Sequence, residues 1–83
     1  MKVYVFTINQ AFDGEFEERV SAVHKSKDDA VKALEEWKKD EMQYVERDGW
    51  TIGEDTETSF EAFEDGYYAT NHTYACITEC DVQ

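Results

Sequence analysis

The sequence predicts an α+β fold in which a small antiparallel sheet packs against one long amphipathic helix. Three features indicate this fold: a β-branched and aromatic segment at the start of the chain, a capped helical segment in the middle, and an alternating segment at the end. The 83 residues suffice for one domain, residues 1–83, and a hydrophobic fraction of 41% argues against disorder despite a net charge of −12. We expect the element order ββαββ, with about four strands and the helix on one face of the sheet.

The first two strands are predicted on either side of a turn. Residues 2–9 are β-branched and aromatic, which is typical of a strand. Asp13-Gly14 marks a turn, and residues 17–25 are predicted to pair with the first strand across a loop of about seven residues.

The helix has the clearest signals in the chain. Ser26-Lys27-Asp28-Asp29 resembles a capping box with Asp in place of the usual Glu or Gln, good helix formers continue to Arg47, and Gly49 is a natural left-handed stop. Its apolar residues fall within one half of a helical wheel, as expected for a surface helix lying on a sheet: Ala30, Val31, Ala33, Leu34, Trp37, Met42, Tyr44 and Val45. Glu41 lies inside this apolar arc, so either the buried contact ends before it or Glu41 meets a partner charge.

The part of the chain after the helix is less regular. Residues 50–52 are compatible with a short strand, residues 53–58 are polar and acidic, and residues 59–64 fit either a short helix or a strand. We favour the strand, because the alternating segment 72–82 needs an antiparallel neighbour. One helix covers only one face of a sheet, so the opposite face is solvated or meets a partner.

Charge is distributed unevenly along the chain. All eight Lys and Arg residues lie within the first 47 positions, whereas Asp48 to Gln83 holds nine acids and no basic residue except His72. Binding to DNA, RNA or anionic lipid needs Lys and Arg to replace counterions, so direct nucleic-acid binding is excluded. A basic protein partner, cations, or no partner at all remain open.

Catalytic chemistry has little support in the sequence. His24 and His72 are the only histidines, and no Ser or Cys lies in a recognised nucleophile motif. Cys76 or Cys80 could meet His72 in space, but cysteines on a strand more often pack in the core. We expect no enzyme activity and no cofactor.

A divalent-metal site is also disfavoured. Asp55, Glu57, Ser59 and Glu61 occupy positions 1, 3, 5 and 7 of a calcium-loop pattern. Phe60 then stands where the loop needs a glycine, and Gly66 stands where it needs a bidentate glutamate. We predict no dedicated metal site.

The remaining hypothesis is a small acidic protein-binding module without catalytic activity, an inhibitor or adaptor that docks a basic protein surface. Nucleic-acid mimicry is one form that this function can take. The candidate partner-binding residues are five acids within the 54–65 segment and two adjacent tyrosines: Asp55, Glu57, Glu61, Glu64, Asp65, Tyr67 and Tyr68. The alternative is an accessory domain that forms a homodimer through its open sheet face, with the acids serving solubility alone.

The sequence also suggests where the protein works. It has no signal-peptide pattern and no membrane-length apolar run. Cys76 and Cys80, four residues apart on a strand, are too far apart for a disulfide. Two free thiols fit a reducing cytoplasm, and we expect a small cytoplasmic protein of bacterial or phage-like type.

Overall fold

A computed structural model of the chain describes residues 1–12, 15–64 and 71–82. These residues form one sheet and one helix, with no cis peptide bond among them. The elements in chain order are β1 (Lys2–Phe12), β2 (Glu15–His24), α1 (Lys27–Asp48), β3 (Thr51–Asp55), β4 (Ser59–Phe63) and β5 (His72–Asp81). The sheet order is β2-β1-β5-β4-β3, and every neighbouring pair is antiparallel. The predicted α+β class is confirmed, but the sheet has five strands and the order is ββαβββ rather than ββαββ.

The helix begins and ends where its caps predict. Ser26 Oγ accepts a hydrogen bond from the Asp29 amide at 3.4 Å, and Gly49 ends the helix with a φ of 69° while its amide donates to the Val45 carbonyl. Trp50 turns back against the core, and its amide also donates to the Val45 carbonyl, at 2.9 Å. Within the described ranges, no helix is long and apolar enough to cross a membrane.

The core lies between α1 and the three central strands. Buried side chains from β1, β4, β5 and α1 form one cluster: Phe6, Ile8, Leu34, Val45, Phe60, Ala62 and Ala75. Trp37 of α1 reaches into this cluster and meets Phe6 and Phe60 edge-on, with ring centroids 6.3 and 6.1 Å apart. Such edge contacts add about 0.5–1.5 kcal/mol each beyond the burial of area. The helix therefore covers one face of the sheet and leaves the other uncovered.

The first hairpin is longer than predicted. β1 extends to Phe12 and β2 begins at Glu15, so the segment expected to be a loop of about seven residues is mostly strand. The prediction failed here because Gln10, Ala11, Glu15 and Phe16 have no buried side chain, and backbone pairing between β1 and β2 holds them in the sheet. The Asp13-Gly14 turn lies outside the described residues.

β3 is the strand beyond the four that were predicted. Residues 50–52 were judged compatible with a short strand, and residues 53–58 were described only as a polar, acidic stretch. All five residues of β3 are exposed, and it lies at one edge of the sheet, paired with β4. Backbone pairing and the turn after it, in which the Thr56 amide donates to the Ser59 carbonyl at 2.9 Å, define the strand. The preference for a strand over a helix at residues 59–64 is confirmed by β4.

A candidate binding face on the open side of the sheet

The uncovered side of the sheet, called here the open face, is defined by strand register. It carries the odd-numbered residues of β1 and the even-numbered residues of β5, because Phe6 and Ile8 of β1 and Ala75 of β5 point toward the helix. Register partners extend this face to the other strands: Val5 opposite Val23, for example, joins β2 to it. None of the described strand residues that register on the open face is Lys or Arg.

The two outer parts of the open face differ in chemistry. On β2, Phe16, Val20 and Val23 are large apolar side chains with 66%, 61% and 59% of their surface exposed. We call these three residues the β2 ridge. The opposite part, across β5, β4 and β3, is polar and negatively charged. We call it the acidic patch, formed by Glu54, Glu61, His72 and Tyr74 on the strands together with Glu57 in the turn that joins β3 to β4.

The acidic patch is built around two carboxylates that stand directly opposite each other. Glu54 of β3 registers with Glu61 of β4, and like charges in this position are unfavourable. Gly53 causes the arrangement: the register shifts between Ile52 and Glu54, so one extra residue in β3 moves Glu54 onto the open face. A side chain at Gly53 would collide with the Glu61 carboxylate, which lies over it.

Neighbouring polar groups hold both carboxylates in place. The Ser59 hydroxyl donates to Glu54 Oε1 and also contacts Thr56 Oγ1 at 2.7 Å. His72 Nε2 lies 2.9 Å from Glu61 Oε2. A hydroxyl and an imidazole thus partner the pair, and no Lys or Arg of the described chain forms an ion pair with either carboxylate.

Tyr74 responds to this environment. It registers opposite Glu61, and its phenol has a raised pKa, first because burial disfavours the phenolate and then because Cys76 and the carboxylates of Glu54 and Glu61 lie nearby and disfavour it further. The phenol therefore stays protonated and remains a hydrogen-bond donor beside two carboxylates.

Four of the seven residues predicted to bind a partner lie within the described residues, and these four are dispersed rather than aligned on one face. Asp55 points to the helix side, where its carboxylate lies 2.7 Å from Lys38 Nζ. Glu57 is exposed in the turn between β3 and β4, and Glu61 lies on the open face. Glu64 accepts a hydrogen bond from Asn71 Nδ2 at 2.6 Å. Asp65, Tyr67 and Tyr68 lie outside the described residues.

Several residues of the open face were missed by sequence reasoning. Glu54 was read as part of a loop, yet a lone glycine beside it in a strand is a recognised sign of a bulge. Tyr74 lies in the alternating segment 72–82 and was not linked to the acids, because only the pairing of β5 with β4 brings it close to them. The β2 ridge has no sequence signal, since apolar residues on a strand are normally assumed to be buried.

The thiols and the histidine do not meet within one chain. His72, Cys76 and Cys80 all lie on β5, and both cysteines are free thiols. At a rise of about 3.3 Å per residue, His72 and Cys76 are about 13 Å apart along the strand. Within the described parts of the chain, no three His, Cys, Asp or Glu side chains converge on a point that suits a metal ion.

Glu41, whose place in the apolar arc raised a question, is partly buried and feels the charge of Arg19, but no ion pair joins the two side chains. Burial raises the pKa of its carboxyl, while Arg19 of β2 and a hydrogen bond from Gln10 of β1 lower it without cancelling the effect of burial. The two strands thus approach this part of the helix through polar contacts.

The basic residues are concentrated on the helix, away from the open face. The helix carries eight acidic and five basic residues, and the rest of the described chain carries ten acidic and three basic residues. The helix side of the molecule therefore holds cations among its acids, whereas the described strand residues of the open face include no Lys or Arg.

Comparison with known proteins gave no further guide to function. A scan against protein-family models found no match, and searches of curated proteins and of solved structures likewise returned no matching protein.

Proposed function

We propose that this protein is a small acidic protein-binding module, without catalytic activity, that docks a basic protein surface through the acidic patch. The observation that carries the proposal is the opposed pair Glu54 and Glu61, which share the open face and form no ion pair with any Lys or Arg of the described residues. A Lys or Arg from a partner would replace an unfavourable like-charge contact by two favourable ones.

The surroundings of the pair suit a protein partner. Tyr74 supplies an apolar ring and a protonated hydroxyl, a combination that is enriched at protein interfaces. Phe63 lies on the same face at the end of β4 and is partly buried. A basic side chain flanked by apolar groups is the partner chemistry that this patch fits.

Mimicry of a nucleic acid has less support than ordinary docking. The molecule measures 45 × 22 × 16 Å, and duplex DNA as long as its longest axis carries about 26 charges at one per ~1.7 Å. The net charge of −12 is less than half of that number. Acidic and basic residues also alternate along α1, so the helix presents no continuous negative row.

A matched pair of charge-reversed variants tests the docking proposal. The open-face variant combines Glu57→Lys with Glu61→Lys, and the control combines Glu35→Lys with Glu36→Lys on the exposed side of α1. Both change the net charge equally, so a difference between them reports position rather than total charge. Each immobilised variant and the wild type are used to capture proteins from a lysate of the source cell, with elution by increasing salt.

The proposal expects a basic protein that the wild type and the helix control retain and that the open-face variant loses. Purified partner should bind more weakly as salt rises, since exposed charges are screened within about 8 Å at physiological ionic strength. Equal retention by all three proteins, or loss by both variants alike, would contradict docking through the acidic patch. Circular dichroism confirms that each variant is folded.

The second candidate is the accessory domain that forms a homodimer, with acidity serving solubility alone. It is favoured by the β2 ridge, because Phe16, Val20 and Val23 place three exposed apolar side chains on one strand, and exposed apolar patches often mark protein–protein contacts. In either case we propose a reducing compartment, the cytoplasm, in which Cys76 and Cys80 stay as thiols.

A further inference from the structure

The outer edge of β2 is the longest unpaired strand edge in the described sheet. β2 has ten residues and β3, at the opposite edge, has five. The first seven residues of β2, from Glu15 to Ser21, are all exposed. An exposed strand edge presents a row of free N–H and C=O groups that can pair with another strand.

β2 has some of the features that protect such edges and lacks others. Proteins block an edge with Pro, with charged side chains (above all Lys) or with a bulge. The segment 15–20 contains neither Pro nor Lys, and its register with β1 is regular up to the bulge at Ser21. Its charged residues are of both signs, so a second copy can place opposite charges across the edge; they are Glu15, Glu17, Glu18 and Arg19. The charged residues of β3, Glu54 and Asp55, are of one sign, and β3 has a bulge at Gly53.

We propose that the β2 edge pairs with the β2 edge of a second copy of this chain, antiparallel about a two-fold axis at Glu18. This pairing continues the sheet from one copy into the other, and it does not depend on the proposed docking of a basic partner. It places a dimer contact at the edge of the sheet rather than on the open face.

The sequence of β2 is self-complementary in this register. Residues whose numbers sum to 36 stand opposite each other, so Phe16 meets Val20 of the second copy on the open face, and does so twice. Glu17 meets Arg19 twice on the helix side. Within one chain, Arg19 Nη1 already lies 3.6 Å from Glu17 Oε1, so the two side chains form an ion pair. Aromatic–aliphatic and opposite-charge pairs are the contacts that stabilise antiparallel strands.

Neighbouring registers are worse. An axis at Arg19 would set this residue against its own copy and would pair Glu17 with Ser21. An axis at Glu17 would set that residue against its copy and would leave Val20 opposite the turn between β1 and β2. The axis at Glu18 leaves one unfavourable contact, Glu18 against Glu18.

That one contact limits the affinity and supplies the test. Whichever charge residue 18 carries, the two-fold axis repeats it, so Glu18→Lys should dimerise as weakly as the wild type. Glu18→Gln removes the repulsion and should tighten the dimer about fivefold. A mixture of wild type and Glu18→Lys turns repulsion into attraction, and its heterodimer should be about tenfold tighter than either homodimer.

The experiment is sedimentation analysis of the full chain up to roughly 1 mM, because a contact of this size falls short of the ~800 Å² per partner of a standard interface and should be weak. Phe16→Lys should abolish the dimer. Val23→Lys is the control: Val23 lies on the open face beyond the paired segment, so edge pairing tolerates the change, whereas stacking of two open faces does not.

Three results would overturn the inference. The first is a wild type and a Glu18→Gln variant that both remain monomers throughout the concentration range. The second is a mixture with Glu18→Lys that is no tighter than the separate proteins. The third is a dimer lost on Val23→Lys but unchanged by all substitutions of Glu18, which would assign the contact to the open face. The variants of the docking test lie on α1, β4 and the turn before it, so failure of one proposal leaves the other intact.

Discussion

Replacing Leu34 by alanine tests whether the helix packs on the sheet as described. Leu34 is 1% exposed and contacts the core cluster from the middle of α1. The change removes three carbon atoms, worth about 0.8 kcal/mol each in transfer, and adds the cost of a cavity. We expect the free energy of unfolding to fall by about 3–4 kcal/mol, within the range measured for buried Leu→Ala changes.

Urea unfolding measures this loss. With a slope of about 1 kcal/mol per molar urea for a small domain, the midpoint should fall by roughly 3 M. Trp37 reports on the core by fluorescence, and circular dichroism follows the helix. Glu35→Ala, next to Leu34 but exposed, is the control and should change stability by no more than about 0.5 kcal/mol.

A loss below about half a kcal/mol for Leu34→Ala would show that the packing of α1 is described wrongly. A small domain has about 0.05–0.15 kcal/mol of stability per residue, so the variant can be unfolded before urea is added. Ile8→Val, at a buried position of β1, then probes the same cluster, with an expected loss of about 0.5–1.5 kcal/mol.

Two further substitutions test local features. Glu41→Gln should raise the urea midpoint at pH 7: burial raises the pKa of Glu41 in the folded state above its unfolded value, so the ionised carboxylate costs stability above that pKa. The gain should shrink as the pH falls toward 4, where the wild-type carboxyl is protonated in both states, and a gain independent of pH would contradict this cause. Gly49→Ala should cost about 1 kcal/mol in the same urea assay, because φ is +69° and a Cβ there meets no atom within 4 Å. An unchanged midpoint would mean that the helix does not end in a left-handed residue.

The helix could be predicted almost completely from the sequence. Its signals are local: Ser26 satisfies an amide three residues on, Gly49 adopts a conformation that other residues avoid, and the apolar arc fixes the buried side. β4 was predicted for a different reason, since β5 required a neighbour, and that requirement holds because unpaired backbone groups are costly.

β3 could not be predicted from side-chain burial, because it buries none. Its formation depends on pairing with β4 and on the hydrogen bonds of the turn at Thr56 and Ser59. The candidate site was mispredicted in detail for the same reason. Alternation places successive residues on opposite faces, and the extra residue at Gly53 decides which acid faces Glu61 and which meets Lys38.

The concentration of basic residues on the helix affects how the protein is oriented as it approaches a charged partner. The acids on the helix side stand among Lys and Arg, whereas the described strand residues of the open face include neither. At close range, a positive surface therefore meets the acidic patch without opposing cations, and the orientation with the open face forward is favoured. Alignment of this kind increases the fraction of collisions that begin with the correct side forward, and it fades as salt shortens the range of the field.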